Sequence, residues 1–156
     1  MKLWVLPFLL ASCMTGDVEL FEPQTGRRLA TFSVEPCINL TDEDGAPLEL
    51  ERSVRELLRQ RYRLETVPEQ GDIRLRLTLR LLRRGTLRQS SDAQLERRVI
   101  AQAELEWLRE DGSVRRHSMK LISEPYIDRA SGDLEAIQNV LLARLADSLV
   151  VDLLEP

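Results

Sequence analysis

The sequence is poor in the residues that build metal sites and nucleophile sites. Its 156 residues include 1 histidine and 2 cysteines, too few for a zinc site with the usual four side-chain ligands. It has neither a Gly-x-Ser-x-Gly segment nor a glycine-rich phosphate-binding loop. His117 is the one candidate base, and Ser118 alternates to the other side of the same predicted strand. These absences predict a protein that is not an enzyme and uses no metal or cofactor.

Lysine and aromatic residues are also scarce. Only Lys2 and Lys120 are lysines, so arginine supplies nearly all the positive charge, and aromatic residues make up 4% of the chain. The formal net charge is −4 and the isoelectric point is about 5.2, which argues against a general nucleic-acid partner. The early apolar run, residues 3–10, is too short for a transmembrane helix.

What the N-terminus does contain is a pattern typical of secretion. Lys2 precedes the apolar run, and the small residues Ala11 and Ser12 precede Cys13. A charged start, a short apolar segment and a small-residue exit predict a signal peptide over residues 1–12. The alternative is an ordinary signal peptide that happens to have a cysteine nearby.

The segment Leu10-Ala11-Ser12-Cys13 resembles a bacterial lipobox. This resemblance implies cleavage before Cys13, lipidation of its sulfur and anchoring of the mature chain to a membrane by its acyl chains. Met14 follows where an aspartate would favour the inner membrane. We therefore predict a protein anchored in the outer membrane by lipid, on the periplasmic side.

The mature chain has the length of one domain. Glycines and a proline with scattered charges over residues 13–28 predict a tether after the lipidated cysteine, followed by a single domain over residues 29–156. The domain begins with a predicted strand over 29–34. Apolar residues at helical spacing from Leu50 to Tyr62 then predict an amphipathic helix.

Three long strands are predicted next. Residues 73–81 alternate strictly between apolar and polar, residues 83–92 read as a polar connection, and residues 95–108 form the second strand. A three-residue turn over 110–112 leads into a third strand that ends before Pro125. This turn length places three side chains of the third strand on the buried face: His117 (at the edge of the core), Met119 and Leu121.

A second helix completes the chain, with an apolar stripe at Leu134, Ile137, Val140, Leu141, Leu145, Leu149 and Leu153 and with Ser131 or Asp133 as its cap. The predicted fold class is α+β. We expect a two-layer sandwich in which two amphipathic helices pack on one face of a mainly antiparallel sheet of four to five strands.

This order of elements resembles the LptE-like family of outer-membrane lipopolysaccharide-assembly lipoproteins. The segment Cys37-Ile38-Asn39-Leu40-Thr41 is similar to an aromatic-x-Asn-x-Thr segment in that family, with cysteine in the aromatic position. Met14-Thr15 stands where the family commonly has a glycine and an aromatic residue. The resemblance implies a protein that plugs an LptD-like β-barrel translocon, helps it to assemble and contacts lipopolysaccharide. Auxiliary lipoproteins of lipid-transport ABC systems share the plan and are the alternative.

The resemblance to this family assigns no specific site residues, so the candidate site is inferred from the sequence itself. Arg74, Arg76 and Arg80 lie on one face of a predicted strand, and arginine forks match phosphate oxygens. They are our candidate ligand-binding residues for an anionic glycolipid. The alternative is that Glu104 lies opposite Arg76 and Glu106 opposite Arg74 across a hairpin, as ordinary ion pairs. Cys37 is predicted to be a small apolar filler, with an intermolecular disulfide as the alternative.

Overall fold

The structure, a computed structural model, describes residues 18–22, 24–89, 95–127 and 132–155. The predicted signal peptide, Cys13 and the predicted cap Ser131 lie outside the described residues, as does the side chain of Asp133. Lipidation of Cys13 therefore stays a prediction. Among the described residues, neither helix combines the length and the apolar content that crossing a bilayer requires.

The described residues form six strands and two helices. They follow one another along the chain as β1 (Thr31–Val34), β2 (Ile38–Asn39), α1 (Ala46–Arg61), β3 (Glu65–Thr66), β4 (Ile73–Gln89), β5 (Leu95–Leu108), β6 (Val114–Ile127) and α2 (Gly132–Leu154).

The sheet is mixed, and the prediction of a mainly antiparallel sheet of four to five strands is wrong. Its order is β3-β1-β4-β5-β6, with β2 also paired to β4. β4, β5 and β6 are antiparallel, whereas β1 runs parallel to both β3 and β4 and β2 runs parallel to β4. The parallel half arises because α1 carries the chain back to the end of the sheet where β1 began, which is how parallel strands are connected.

Both helices cover the same face of the sheet, as predicted. Leu50, Val54 and Leu58 of α1 are fully buried in one core with Leu75, Leu77 and Leu79 of β4 and Leu141, Leu145 and Leu149 of α2. The predicted stripe of α2 is wrong at Val140, which is 55% exposed, while Leu142, Ala146 and Val150 are buried instead. The buried stripe is broader because α2 contacts both α1 and the sheet.

A β-bulge in β4 changes which side chains face the helices. Leu79 pairs with Ala103 and Leu81 pairs with Gln102, so Arg80 is an extra residue without a partner of its own. Up to Leu79, the odd-numbered apolar residues are buried as predicted. Leu81 is not, because the extra residue moves it to the other face.

A second irregularity changes which side chains of β6 point toward the helices. The predicted three-residue turn is confirmed: the Arg109 N–H donates to the Ser113 carbonyl at 2.8 Å, and Gly112 has a φ of 81°. However, Leu108 pairs with Val114 and Trp107 with Arg116, which leaves an extra residue between them. The prediction that His117, Met119 and Leu121 face inward is therefore wrong. Ser118 is buried instead, and its hydroxyl donates to Asp152 of α2 at 2.6 Å.

Two of the long strands continue further than predicted. β4 runs to Gln89 through the predicted polar connection, because its backbone stays paired with β5 despite its polar sequence. β6 runs through Pro125 to Ile127. A proline is tolerated there because β6 is an edge strand, where a missing N–H costs no hydrogen bond to a neighbouring strand.

The start of β4 is fastened to the start of β1. Asp72 accepts hydrogen bonds from the backbone N–H groups of Ala30 and Thr31 at 2.9 and 3.0 Å and forms an ion pair with Arg27. A side chain at Gly71 would come within 2.7 Å of the Phe32 backbone, so only glycine allows this close approach.

The segment predicted as a tether contacts the domain from residue 18 onward. The Val18 N–H donates to the Arg61 carbonyl at the end of α1, and the Leu29 N–H donates to the Leu20 carbonyl. Val18 and Leu20 pack against the core. Phe21 and Arg28 form an isolated antiparallel bridge, so residues 20–29 make a small hairpin against the end of the sheet.

The open face of the sheet as the candidate binding surface

The face of β4, β5 and β6 that points away from the helices is called the open face here. In antiparallel strands, directly opposed residues share a face. Three of the rows that cross the open face matter here. They are Arg76, Glu106 and His117; Thr78, Glu104 and Met119; and Leu81, Gln102 and Leu121.

All three candidate arginines lie at one end of this face, and each is bonded to a carboxylate. Arg74 donates to Glu35 Oε1 at 3.0 and 2.6 Å, and Arg76 donates to Glu35 Oε2 at 2.9 Å. Arg80 donates to Glu104. This cluster, Arg74, Arg76 and Arg80 with Glu35, Glu104 and Glu106, is called the charged half and carries three positive and three negative charges.

The strand register explains these partners. Arg76 lies opposite Glu106, and their charged atoms are 3.7 Å apart. A cross-strand ion pair therefore exists, but the register that placed Glu104 opposite Arg76 and Glu106 opposite Arg74 is wrong by two residues. Arg74 lies opposite Leu108 and takes its partner from the other side, where Glu35 follows β1. The sequence analysis missed Glu35 because its placement depends on the parallel pairing of β1 with β4.

Hydrogen bonds from arginine set the ionisation of the carboxylates in the charged half. Burial alone would raise the pKa of Glu35, but hydrogen bonds from Arg76 and Arg74 outweigh it and hold that pKa below its usual value of 4.5. Burial opposes ionisation of Glu104 as well, and hydrogen bonds from Arg80 and His117 keep its pKa low. Both groups are therefore carboxylates at neutral pH and neutralise the arginines beside them.

His117 belongs to this surface and not to the core edge. Its Nε2 lies 2.6 Å from Glu104 Oε1, and its side chain is 44% exposed. Ser118 lies on the opposite face, as predicted, so the two side chains do not meet. Among the described residues there is no group of three or more histidine, cysteine, aspartate or glutamate side chains that could hold a metal ion.

Beyond the charged half, the open face carries a group of apolar side chains, bordered by Gln102 and Arg83. Met119 and Leu121 of β6 are 50% and 60% exposed, and Ile38 of β2, which pairs with Thr78, is 44% exposed. Leu81 and Ile100 are half-buried among them. These five residues are called the apolar half. Exposed apolar patches of a few hundred Å² often mark interaction sites on proteins.

The two halves differ because of the two bulges. The bulge at Arg80 moves Leu81 out to the open face, and the irregularity at the start of β6 does the same to Met119 and Leu121. A regular pairing would have buried these three side chains. The sequence signal that could have found this surface is weak, since bulges depend on pairing between distant strands.

The architecture is one that bacterial lipoproteins of known structure adopt. Rare lipoprotein B from Shewanella oneidensis superposes with a TM-score of 0.56 at 22% identity, over 77% of this chain and 92% of that chain. A DUF330-family protein from Xanthomonas campestris superposes with a TM-score of 0.59 at 14% identity, over 83% of this chain and 86% of that chain.

A minor lipoprotein from Acinetobacter baumannii is a further neighbour, with a TM-score of 0.52 at 11% identity, over 77% of this chain and 88% of that chain. At these identities the likeness concerns the fold. No protein-family model matches the sequence, and a comparison with curated proteins finds no match either. The comparison thus shows a shared fold, and lipidation of Cys13 stays a prediction.

Proposed function

We propose that the protein is a non-catalytic outer-membrane lipoprotein, lipidated at Cys13, that assembles with and plugs a β-barrel translocon of the LptD type. In this proposal the translocon delivers lipopolysaccharide to the cell surface. The observation that carries the proposal is the open face. Two helices cover one side of three long strands, and the other side presents the apolar half without a covering element among the described residues.

The charges on the open face favour a protein partner at this surface over a purely anionic ligand. Because Glu35, Glu104 and Glu106 neutralise the three arginines, the charged half offers an incoming phosphate no net attraction. A barrel wall can contact the apolar half by burying it from water, which contributes roughly 25 cal/mol for each Å². Anchoring both proteins in one membrane also raises their effective concentration, so that a small patch suffices.

The proposal is tested by site-specific photo-crosslinking in cells. A photoreactive residue at Leu121 is expected to crosslink to the outer-membrane barrel of the lipopolysaccharide translocon. The same residue at Val140, equally exposed on α2, is the matched control and should crosslink far less. A crosslink from Leu121 to an inner-membrane ABC permease would instead support the auxiliary-lipoprotein alternative and overturn the translocon proposal.

Contact with lipopolysaccharide has its own test. Charge reversal of Arg74, Arg76 and Arg80 together should weaken binding to purified lipopolysaccharide, because the cluster then repels phosphate, and the loss should be smaller at high salt, where this repulsion is screened. A second variant that also changes Glu35, Glu104 and Glu106 to arginine restores the ion pairs. If that variant recovers both stability and lipopolysaccharide binding, the arginines are structural and do not contact the ligand.

A further inference from the structure

The parts of the domain that contact Val18, the first described residue, and the hairpin after it all lie at one end of the sheet. Val18 is bonded to Arg61 at the C-terminal end of α1. The hairpin over residues 20–29 is bonded to the beginnings of β4 and β6, through Arg27 to Asp72 at 3.0 Å and through Glu22 to Arg115 at 3.2 Å. A cleft of about 840 Å³ separates this hairpin from the β5–β6 turn. All these features lie at one end of the sheet, called the proximal end here.

The length of chain before Val18 limits how far this end can lie from the membrane. Cys13 precedes Val18 by five residues, and an extended chain spans at most about 3.6 Å per residue, or about 18 Å in total. The 17 residues of β4, at about 3.3 Å each, extend about 56 Å from the same end. A lipid on Cys13 would therefore hold the proximal end at the bilayer surface.

The proximal end presents side chains that suit a headgroup layer. Phe21 is 52% exposed, with no covering element among the described residues, and aromatic rings favour the interface between membrane and water. The side chains of Arg27 and Arg28 are 63% and 60% exposed. Among the described residues each has one ion pair, with Asp72 and Glu19 respectively, and a guanidinium with five N–H donors keeps others for phosphate oxygens.

The outer side of α2 offers an anionic bilayer no attraction. Among its described and exposed charged side chains, Glu135, Asp147 and Asp152 outnumber Arg144, although Asp147 and Asp152 have Arg61 and Lys120 as partners. Tether length therefore decides in favour of an end-on orientation.

From these observations we infer that the proximal end, through Phe21, Arg27 and Arg28, is a membrane-contacting surface whose partner is the phospholipid headgroup layer. The inference rests on the proposed lipidation of Cys13. When the protein is not bound to a barrel partner, the contact orients it end-on, with the charged half of the open face near the membrane and the apolar half further away.

The test uses the acylated protein in vesicles of phosphatidylethanolamine and phosphatidylglycerol. Cys37 is replaced by serine, and one fluorophore is attached at Gln24→Cys at the proximal end, Asp44→Cys before α1 or Ala143→Cys on the outer side of α2. Nitroxide groups on the lipid headgroups quench nearby fluorophores. We expect several-fold stronger quenching at Gln24 than at the other two positions.

Two further variants sharpen the result. A flexible insertion of about twenty residues between Cys13 and Val18 should remove most of the difference, because such a linker spans about 25 Å on average. Phe21→Ala should weaken quenching at Gln24, whereas Leu48→Ala, which removes an even more exposed side chain far from this end, should not.

The outcomes separate the two proposals. If the intact mass shows acyl chains and quenching is equal at Gln24 and Ala143, lipidation stands and the end-on orientation is wrong. If the intact mass shows no acyl chains, the proposed lipidation fails and the orientation fails with it.

Discussion

The two faces of the same three strands follow different rules. On the covered face, Leu75, Leu77 and Leu105 are fully buried, so their shapes must fit the helices above them. On the open face, side chains such as Arg76, Glu106 and Leu121 are not constrained by close packing. Their energetic requirements are that the charges are neutralised and that a partner covers the apolar surface. The comparison shows that one strand can carry a core on one side and a binding surface on the other.

The largest expected effect comes from removing a residue of β4, because this exchanges the covered and open faces of part of the strand. Deleting Arg76 shifts the residues before or after the deletion by one position along β4. The leucines in that part of the strand then point to the open face. Each displaced leucine costs about 2–5 kcal/mol, so two or three of them together cost an amount comparable with the 5–15 kcal/mol by which proteins are typically stable. We expect no cooperative unfolding transition in this variant, as monitored by circular dichroism.

Deletion of Arg80 is the matched control in the same strand. Because Arg80 is the extra residue of the bulge, its removal leaves every other side chain on its present face. We expect a folded protein that has lost about 1 kcal/mol, the value of one partly exposed ion pair. If the Arg80 deletion unfolds the protein as fully as the Arg76 deletion, the assigned bulge is wrong.

The next largest effect compares leucines on the two faces. Leu77→Ala should lower the free energy of unfolding by about 2–5 kcal/mol, since it empties a fully buried site. Leu121→Ala removes a side chain that is 60% exposed and should change stability by about 0.5 kcal/mol or less. Urea unfolding measures both. Equal losses would show that the open face is covered within the isolated chain.

For binding to the partner, we expect a substitution on the open face to have a large effect even though it hardly changes stability. Leu121→Arg should abolish co-purification with the β-barrel partner while leaving the midpoint of thermal unfolding nearly unchanged, because the arginine remains in water. Val140→Arg, at an equally exposed position on α2, should retain the partner. Loss of the partner in both variants would place the contact elsewhere.

The smallest predicted effect concerns pH. Glu35 has a lowered pKa in the folded state, so its ion pairs contribute full stability above its ordinary pKa of 4.5 and lose it as the pH falls below that value. Glu35→Gln should lower stability at pH 7 and flatten its decline between about pH 5 and pH 3. Glu56→Gln, on the exposed side of α1, is the control and should keep the wild-type decline.

Local patterns in the sequence predicted what depends on local periodicity. The alternation from Ile73 to Leu79, the helical spacing from Leu50 to Leu58 and the turn at Gly112 all appear in the structure. Each of them is encoded within one or two turns of helix or a few residues of strand.

Features that depend on distant pairing were not predicted. The parallel pairing of β1 with β4 joins Phe32 to Ile73 across α1, and no local pattern records it. The same holds for the Glu35 ion pairs, which follow from that pairing. The bulge at Arg80 left no trace in the alternation either, because Leu81 continues the apolar series in the sequence while its side chain turns outward.

The environment of Cys37 has a consequence for its redox chemistry. The thiol is half-buried just before β2, where it packs against the core, and burial raises its pKa to about 11. Thiolate is the form that attacks disulfides and reacts with oxidants. Burial therefore slows any thiol–disulfide exchange at Cys37, and its alkylation by iodoacetamide is expected to be slow in the folded protein and fast in urea.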